Sequence, residues 1–78
     1  MSRKTQDIKE EFRINLEGCK DFSEEKLLEE INKTTIKVEK CDFYSTNLKL
    51  KIYAGLSTLS NCEPSTRKRT YKKVLRLL

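Results

Sequence analysis

Residues 47–54 read NLKLKIYA, with Leu48, Leu50, Ile52 and Ala54 on one side of an extended chain and Asn47, Lys49, Lys51 and Tyr53 on the other. Period-two alternation is the pattern of a half-buried strand. A strand buries its apolar face only against other elements, so the rest of the chain has to supply strand partners and a covering layer. Residues 34–43 supply the first partner: Ile36 and Val38 point inward, and the phase changes at Cys41 and Phe43, as at a bulge. Tyr44-Ser45-Thr46 is short enough for a hairpin connection. Gly55 turns the chain, and Leu56-Ser57-Thr58-Leu59 adds a short third strand of a meander.

Upstream, residues 11–17 admit two readings. Phe12, Ile14 and Leu16 alternate with Glu11, Arg13, Asn15 and Glu17, which makes a fourth strand ended by Gly18. Ile8, Phe12, Leu16 and Cys19 also share one helical face, with Gly18 as a stop. Ile14 fits the strand and spoils the helix. Residues 1–10 are a polar N-terminal tail.

Two helices provide the second layer. Ser23 is an N-cap, Phe22 can staple onto Leu27, and Glu24 and Glu25 suit the positive helix start. Leu27, Leu28 and Ile31 form its apolar stripe, and Asn32 is its stop. The last helix starts at Pro64, a residue suited to the first helical position. Tyr71, Val74, Leu75 and Leu78 then follow the i, i+3, i+4, i+7 spacing of a buried stripe. The expected fold is one α+β domain over residues 1–78. It has two layers: an antiparallel sheet of three to four strands, with both helices on one face.

Charge is distributed unevenly. Residues 1–39 hold eight basic and ten acidic side chains, whereas residues 40–78 hold nine and two. A basic pole on a small domain fits a polyanion. The last helix concentrates it: Arg67, Lys68, Arg69, Lys72, Lys73 and Arg76 occupy the faces outside the apolar stripe. Like charges at i, i+4 (Lys68 and Lys72, Arg69 and Lys73, Lys72 and Arg76) each destabilise a helix by a few tenths of a kcal/mol. Cations near a helix C-terminus are favoured by its dipole, which accounts for Lys72, Lys73 and Arg76 but not for Arg67, Lys68 and Arg69 near the start. Phosphates would neutralise the repulsion and release counterions. On the expected sheet, Lys49, Lys51 and Tyr53 share the outer face, a combination that holds RNA by phosphate contact and stacking. The same lysines also serve to keep an exposed strand from aggregating.

Other function classes find no support. The chain has no His, and its only glycines are Gly18 and Gly55, so there is neither a general base of that type nor a Gly-rich phosphate loop. Glu24 and Glu25, and Glu29 and Glu30, are expected on a solvated helix face. Cys19, Cys41 and Cys62 are widely spaced and lack a CxxC pair, so no metal site is expected and they read as small apolar residues in a reducing compartment. No apolar run approaches the roughly 18 residues of a membrane span, and no signal-peptide core follows Met1. The chain is therefore expected to be a cytoplasmic protein without enzyme activity, cofactor or small-molecule substrate.

The run Thr35 to Lys40, the run Asn47 to Ile52 and Gly55-Leu56-Ser57-Thr58-Leu59 together resemble the meander of the small eukaryotic large-subunit ribosomal protein family called L-thirty-eight-e. Met1-Ser2-Arg3-Lys4 with Asp7-Ile8-Lys9 is similar to that family's start. The element order is also similar to the small Alu-domain subunits of the signal recognition particle and to the ribosomal family called L-twenty-two-e. The resemblance implies a small α+β domain that binds ribosomal RNA beside neighbouring ribonucleoprotein subunits, associated with the ribosome. Under it Arg3 and Lys4 join the candidate RNA contacts. A protein-interaction module is the competing class, such as a small inhibitor docking on an acidic partner or in a partner's nucleic-acid groove, with the acidic helix 23–32 sharing the work.

Overall fold

The computed structural model describes residues 5–78. Among them are four α-helices and no strand: α1 (Thr5–Leu16), α2 (Glu24–Glu39), α3 (Thr46–Asn61) and α4 (Pro64–Leu77), with a single 3-10 turn at Cys19–Asp21 between α1 and α2. The expected α+β sheet is thus corrected to an all-helical fold, and residues 5–10, expected in a tail, open α1.

The period-two alternation is short, and longer helical spacings overrule it. In α1, Ile8, Phe12 and Leu16 recur at i, i+4 and i+8 and are all buried. Ile14, which favoured the strand, is 61% exposed. Gly18 then takes the left-handed conformation, φ 80°, that ends many helices. In α3, Leu48 is half-buried, and Ile52, Leu56 and Leu59 are buried at i+4, i+8 and i+11. Leu50, expected in the core, is 59% exposed. Ser45 caps this helix, its Oγ accepting from the Leu48 amide at 3.2 Å.

α2 starts at the expected cap, with Ser23 Oγ accepting from the Lys26 amide at 3.2 Å. It does not stop at Asn32. The β-branched pair Thr34 and Thr35 stays helical with each hydroxyl bonded one turn back, Thr34 to the Glu30 carbonyl at 3.0 Å and Thr35 to the Ile31 carbonyl at 2.9 Å. Its buried face is Leu27, Ile31, Thr34 and Val38, while Leu28 and Ile36 point to solvent.

Each helix packs on the next in chain order, and α4 closes the arrangement by packing on α1 and on the 3-10 turn. The core lies between them. Phe12 of α1 stacks on Tyr71 of α4 with ring centroids 5.3 Å apart. Val74 of α4 faces Gly55 of α3, where a Cβ would come within 2.9 Å of a Val74 methyl. Gly55, expected at a turn, therefore sits inside a helix and lets α3 and α4 approach closely. From the α2–α3 connection, buried Tyr44 donates its hydroxyl to the Leu78 carbonyl at 3.2 Å. Burial pushes the Tyr44 phenol up to about 12, with the neighbouring Cys41 adding to the shift.

Candidate nucleic-acid interface

α4 begins at Pro64, preceded by Glu63 as the N-cap residue. Its buried side is Arg67, Tyr71 and Val74, with Leu78 beyond its last turn and Leu75 and Leu77 half-buried. The spacing i, i+4, i+7, i+11 from Arg67 to Leu78 leaves the opposite arc for Lys68, Arg69, Lys72, Lys73 and Arg76, all exposed. Lys68, Lys72 and Arg76 form one i, i+4 row, and Arg69 and Lys73 another beside it. At 1.5 Å per residue the row from Lys68 to Arg76 is about 12 Å long.

These five cations differ from Arg13, Lys33 and Lys37 of α1 and α2 in having no ion-pair partner among the described residues. Arg13 pairs with Glu10 at 2.5 Å and Glu17 at 3.7 Å, Lys33 pairs with Glu29 at 3.5 Å and Glu30 at 3.3 Å, and Lys37 of α2 pairs with Glu11 of α1. The Arg13 hydrogen bond holds the Glu10 carboxyl below its ordinary value, and the hydrogen bond that Lys33 donates to Glu30 raises Lys33. Among the described residues no ion pair involves any of the five exposed cations of α4. The ion pairs of α1 and α2 thus have no counterpart on the exposed face of α4 among the described residues.

Arg67 does not belong to that face. It is 4% exposed, and its Nη1 donates to the carbonyls of Phe22 at 2.8 Å, Cys19 at 3.2 Å and Lys20 at 3.4 Å. It fastens α4 to the 3-10 turn and is occupied there, which corrects its expected place among the RNA contacts. The helical wheel carried the signal, since Arg67 lies one turn before Tyr71 on the buried stripe. Lys49, Lys51 and Tyr53 are also separated. Two residues advance a helix by about 200°, so positions 49 and 53 fall on one side and 51 on the other. Lys49 is half-buried and donates to the Glu39 carbonyl at 3.0 Å, capping the end of α2. Tyr53 is half-buried against the core, and Lys51 alone is exposed. The expected Lys-and-ring platform is therefore absent. Arg3 and Lys4 lie outside the described residues.

A cavity of about 470 Å³ adjoins the basic face, between the end of α1, the 3-10 turn and α4. Sequence reasoning missed it, because it depends on α1 and α4 coming together. Cys19, Tyr71 and Leu75 contribute its apolar lining, and Lys68 and Lys72 form its α4 side. The Tyr71 hydroxyl donates to the Arg13 carbonyl at 3.4 Å. Burial raises both the Tyr71 phenol and the Cys19 thiol, in Tyr71 with help from the Glu17 charge.

Among the described residues no disulfide joins Cys19, Cys41 and Cys62; the first two are buried and Cys62 is half-buried. Among the described residues no group of His, Cys, Asp or Glu has the geometry to hold a metal ion, and no helix is long and apolar enough to cross a membrane. No protein-family model, curated protein or solved structure matches the chain.

Proposed function

We propose that this protein binds the phosphate backbone of structured RNA through the exposed face of α4. The observation that supports this reading is the set of five exposed cations, Lys68, Arg69, Lys72, Lys73 and Arg76, without carboxylate partners among the described residues. Their mutual repulsion opposes helix formation by a few tenths of a kcal/mol per pair. Phosphates convert that cost into attraction, and displaced counterions add an entropic drive. The rigid packing of α4 on α1 and α3 presents the charges at fixed spacing, so little order has to be acquired on binding.

The proposed setting is a cytoplasmic ribonucleoprotein, with ribosomal RNA of the large subunit as the leading substrate. The likeness of residues 34–59 to the L-thirty-eight-e family was carried by strands, and those residues form the end of α2, a connection and most of α3, so the fold it implied is not the fold of this chain. The proposal therefore stands on the charge of α4.

A salt titration with the Lys68→Glu, Lys72→Glu double variant tests it. Both side chains are exposed, so helicity and thermal stability should match wild type. Affinity for an RNA hairpin should fall, and the slope of log affinity against log salt should flatten by about two phosphates' worth. Unchanged affinity in a folded variant refutes the reading. So does tight, stoichiometric binding to one acidic protein without measurable RNA affinity.

A further inference from the structure

We propose that the cavity beside α4 receives one unstacked nucleotide of the bound RNA, whichever base it carries. This rests on the RNA reading above and adds a site to it. The cavity, about 470 Å³, opens alongside the same lysines that hold the proposed backbone. Its apolar lining is formed by buried Cys19 and Tyr71 and the half-buried Leu75. A flat heteroaromatic ring is the part of a nucleic acid that gains from leaving water for such a lining.

Charge around the cavity is net positive only on one side. Lys68 and Lys72 stand on the α4 side, without carboxylate partners among the described residues. On the opposite side, at the end of α1 and in the 3-10 turn, Glu17 and Asp21 stand with two cations, Arg13, which pairs with Glu17 at 3.7 Å, and the exposed Lys20. Carboxylates repel phosphate. A nucleotide therefore enters with its phosphates toward Lys68 and Lys72 and its base over the apolar lining, where the mixed donors and acceptors of the far side can meet the edge of any base.

The test uses RNA hairpins that differ only at a one-nucleotide bulge: adenosine, uridine or an abasic site. Wild-type protein should bind the adenosine bulge about tenfold more tightly than the abasic one, the gain from roughly 55 Å² of ring leaving water at about 25 cal/mol per Å². Uridine, a smaller ring, should lie between the two. Leu75→Trp fills the cavity while keeping every cation, and should bind all three hairpins as wild type binds the abasic one. If that variant fails to fold, 2-aminopurine at the bulge gives the same answer on wild-type protein, its fluorescence changing on transfer from solvent into the cavity. Equal affinities for the three bulges, with unchanged 2-aminopurine emission, overturn the nucleotide site and leave the phosphate reading standing. Failure to bind any hairpin removes both. Free AMP that perturbs the Gly18 and Leu75 amide resonances while the hairpins stay indistinguishable assigns the cavity to a free nucleotide and overturns the strand-borne one.

Discussion

Replacing Arg67 with Met keeps the length of the side chain and removes its charge and its donors. In the native fold Nη1 is shared among three carbonyls, with the shortest contact, 2.8 Å, to Phe22. The Cys19 carbonyl retains a second donor in Arg67→Met, the Phe22 amide at 3.1 Å. The carbonyls of Lys20 and Phe22 lose the Arg67 donor. An unsatisfied buried acceptor costs about 1–3 kcal/mol, and bonds to a charged donor lie at the upper end of hydrogen-bond strengths. Two effects reduce the total. Both contacts are only part-buried, so water can reach the freed carbonyls. Nε of Arg67 is itself buried without a partner, so removing the guanidinium relieves a desolvation cost. The expected net loss is about 2–3 kcal/mol, at the low end of what breaking a buried charged contact costs. A chain of 78 residues has about 4–12 kcal/mol in total, so the loss is a large fraction of it. Urea unfolding followed by helical circular dichroism measures it. With a slope of about 1 kcal/mol per molar, the midpoint should drop by about 2–3 M. Arg69→Met, two residues away and exposed, should move stability by less than about 0.5 kcal/mol. Below its melting range, Arg67→Met should keep the wild-type salt slope for RNA. A midpoint within about 0.5 M of wild type, or a salt slope lowered by one charge, would refute the assignment of Arg67 to the fold.

Ile52→Ala should cost about 2–5 kcal/mol, whereas Leu50→Ala, at an outward position of the same helix, should cost under about 0.5 kcal/mol. Thermal melts that rank the two the other way would contradict the helical register of α3. Gly55→Ala gains up to about 1 kcal/mol in helix propensity but forces a methyl against Val74, for which overpacking costs about 1–3 kcal/mol. It should be net destabilising, and the sign should reverse in a Val74→Ala background. The Tyr44 phenol is raised in the fold to about 12. Its contribution is therefore complete below its unfolded value near 10 and lost as pH rises through 12. Tyr44→Phe should be less stable than wild type at neutral pH, and the gap should narrow between pH 10 and 12 in alkaline urea titrations.

The elements that could be read from the sequence were those fixed by local chemistry. Ser23 capping, Pro64 at a helix start and the Tyr71, Val74, Leu75 and Leu78 stripe depend on neighbours within a few residues, and all three occur in the fold, with Leu75 of the stripe only half-buried. The strands failed because alternation over seven or eight residues is compatible with either period. In NLKLKIYA, Leu48 and Ile52 serve both a strand and a helix, and Leu50 and Ala54, both exposed, distinguish them. The decision lay downstream, where Leu56 and Leu59 continue the helical spacing past Gly55. Taking Gly55 as a turn cut that pattern in half. A glycine weakens a helix by about 1 kcal/mol, and a tertiary contact can outweigh that amount. The contact in question, to Val74, lies 19 residues away in the chain and leaves no local trace.

Charge misled in a different way. A count of basic residues on α4 does not distinguish a cation facing solvent from one facing the core, and the apolar stripe was drawn only through apolar residues. Extending it one turn back from Tyr71 reaches Arg67, whose stem and head fit the buried side only because the 3-10 turn offers three carbonyls there. Those carbonyls come from a turn 45 to 48 residues earlier in the chain. The same long-range meeting of α4 with the end of α1 forms the cavity that Lys68 and Lys72 border. The basic face was thus legible as a composition. Its division into one buried clamp and five exposed cations follows from where α1 and the turn lie, because that packing decides which basic groups of α4 can still meet a phosphate.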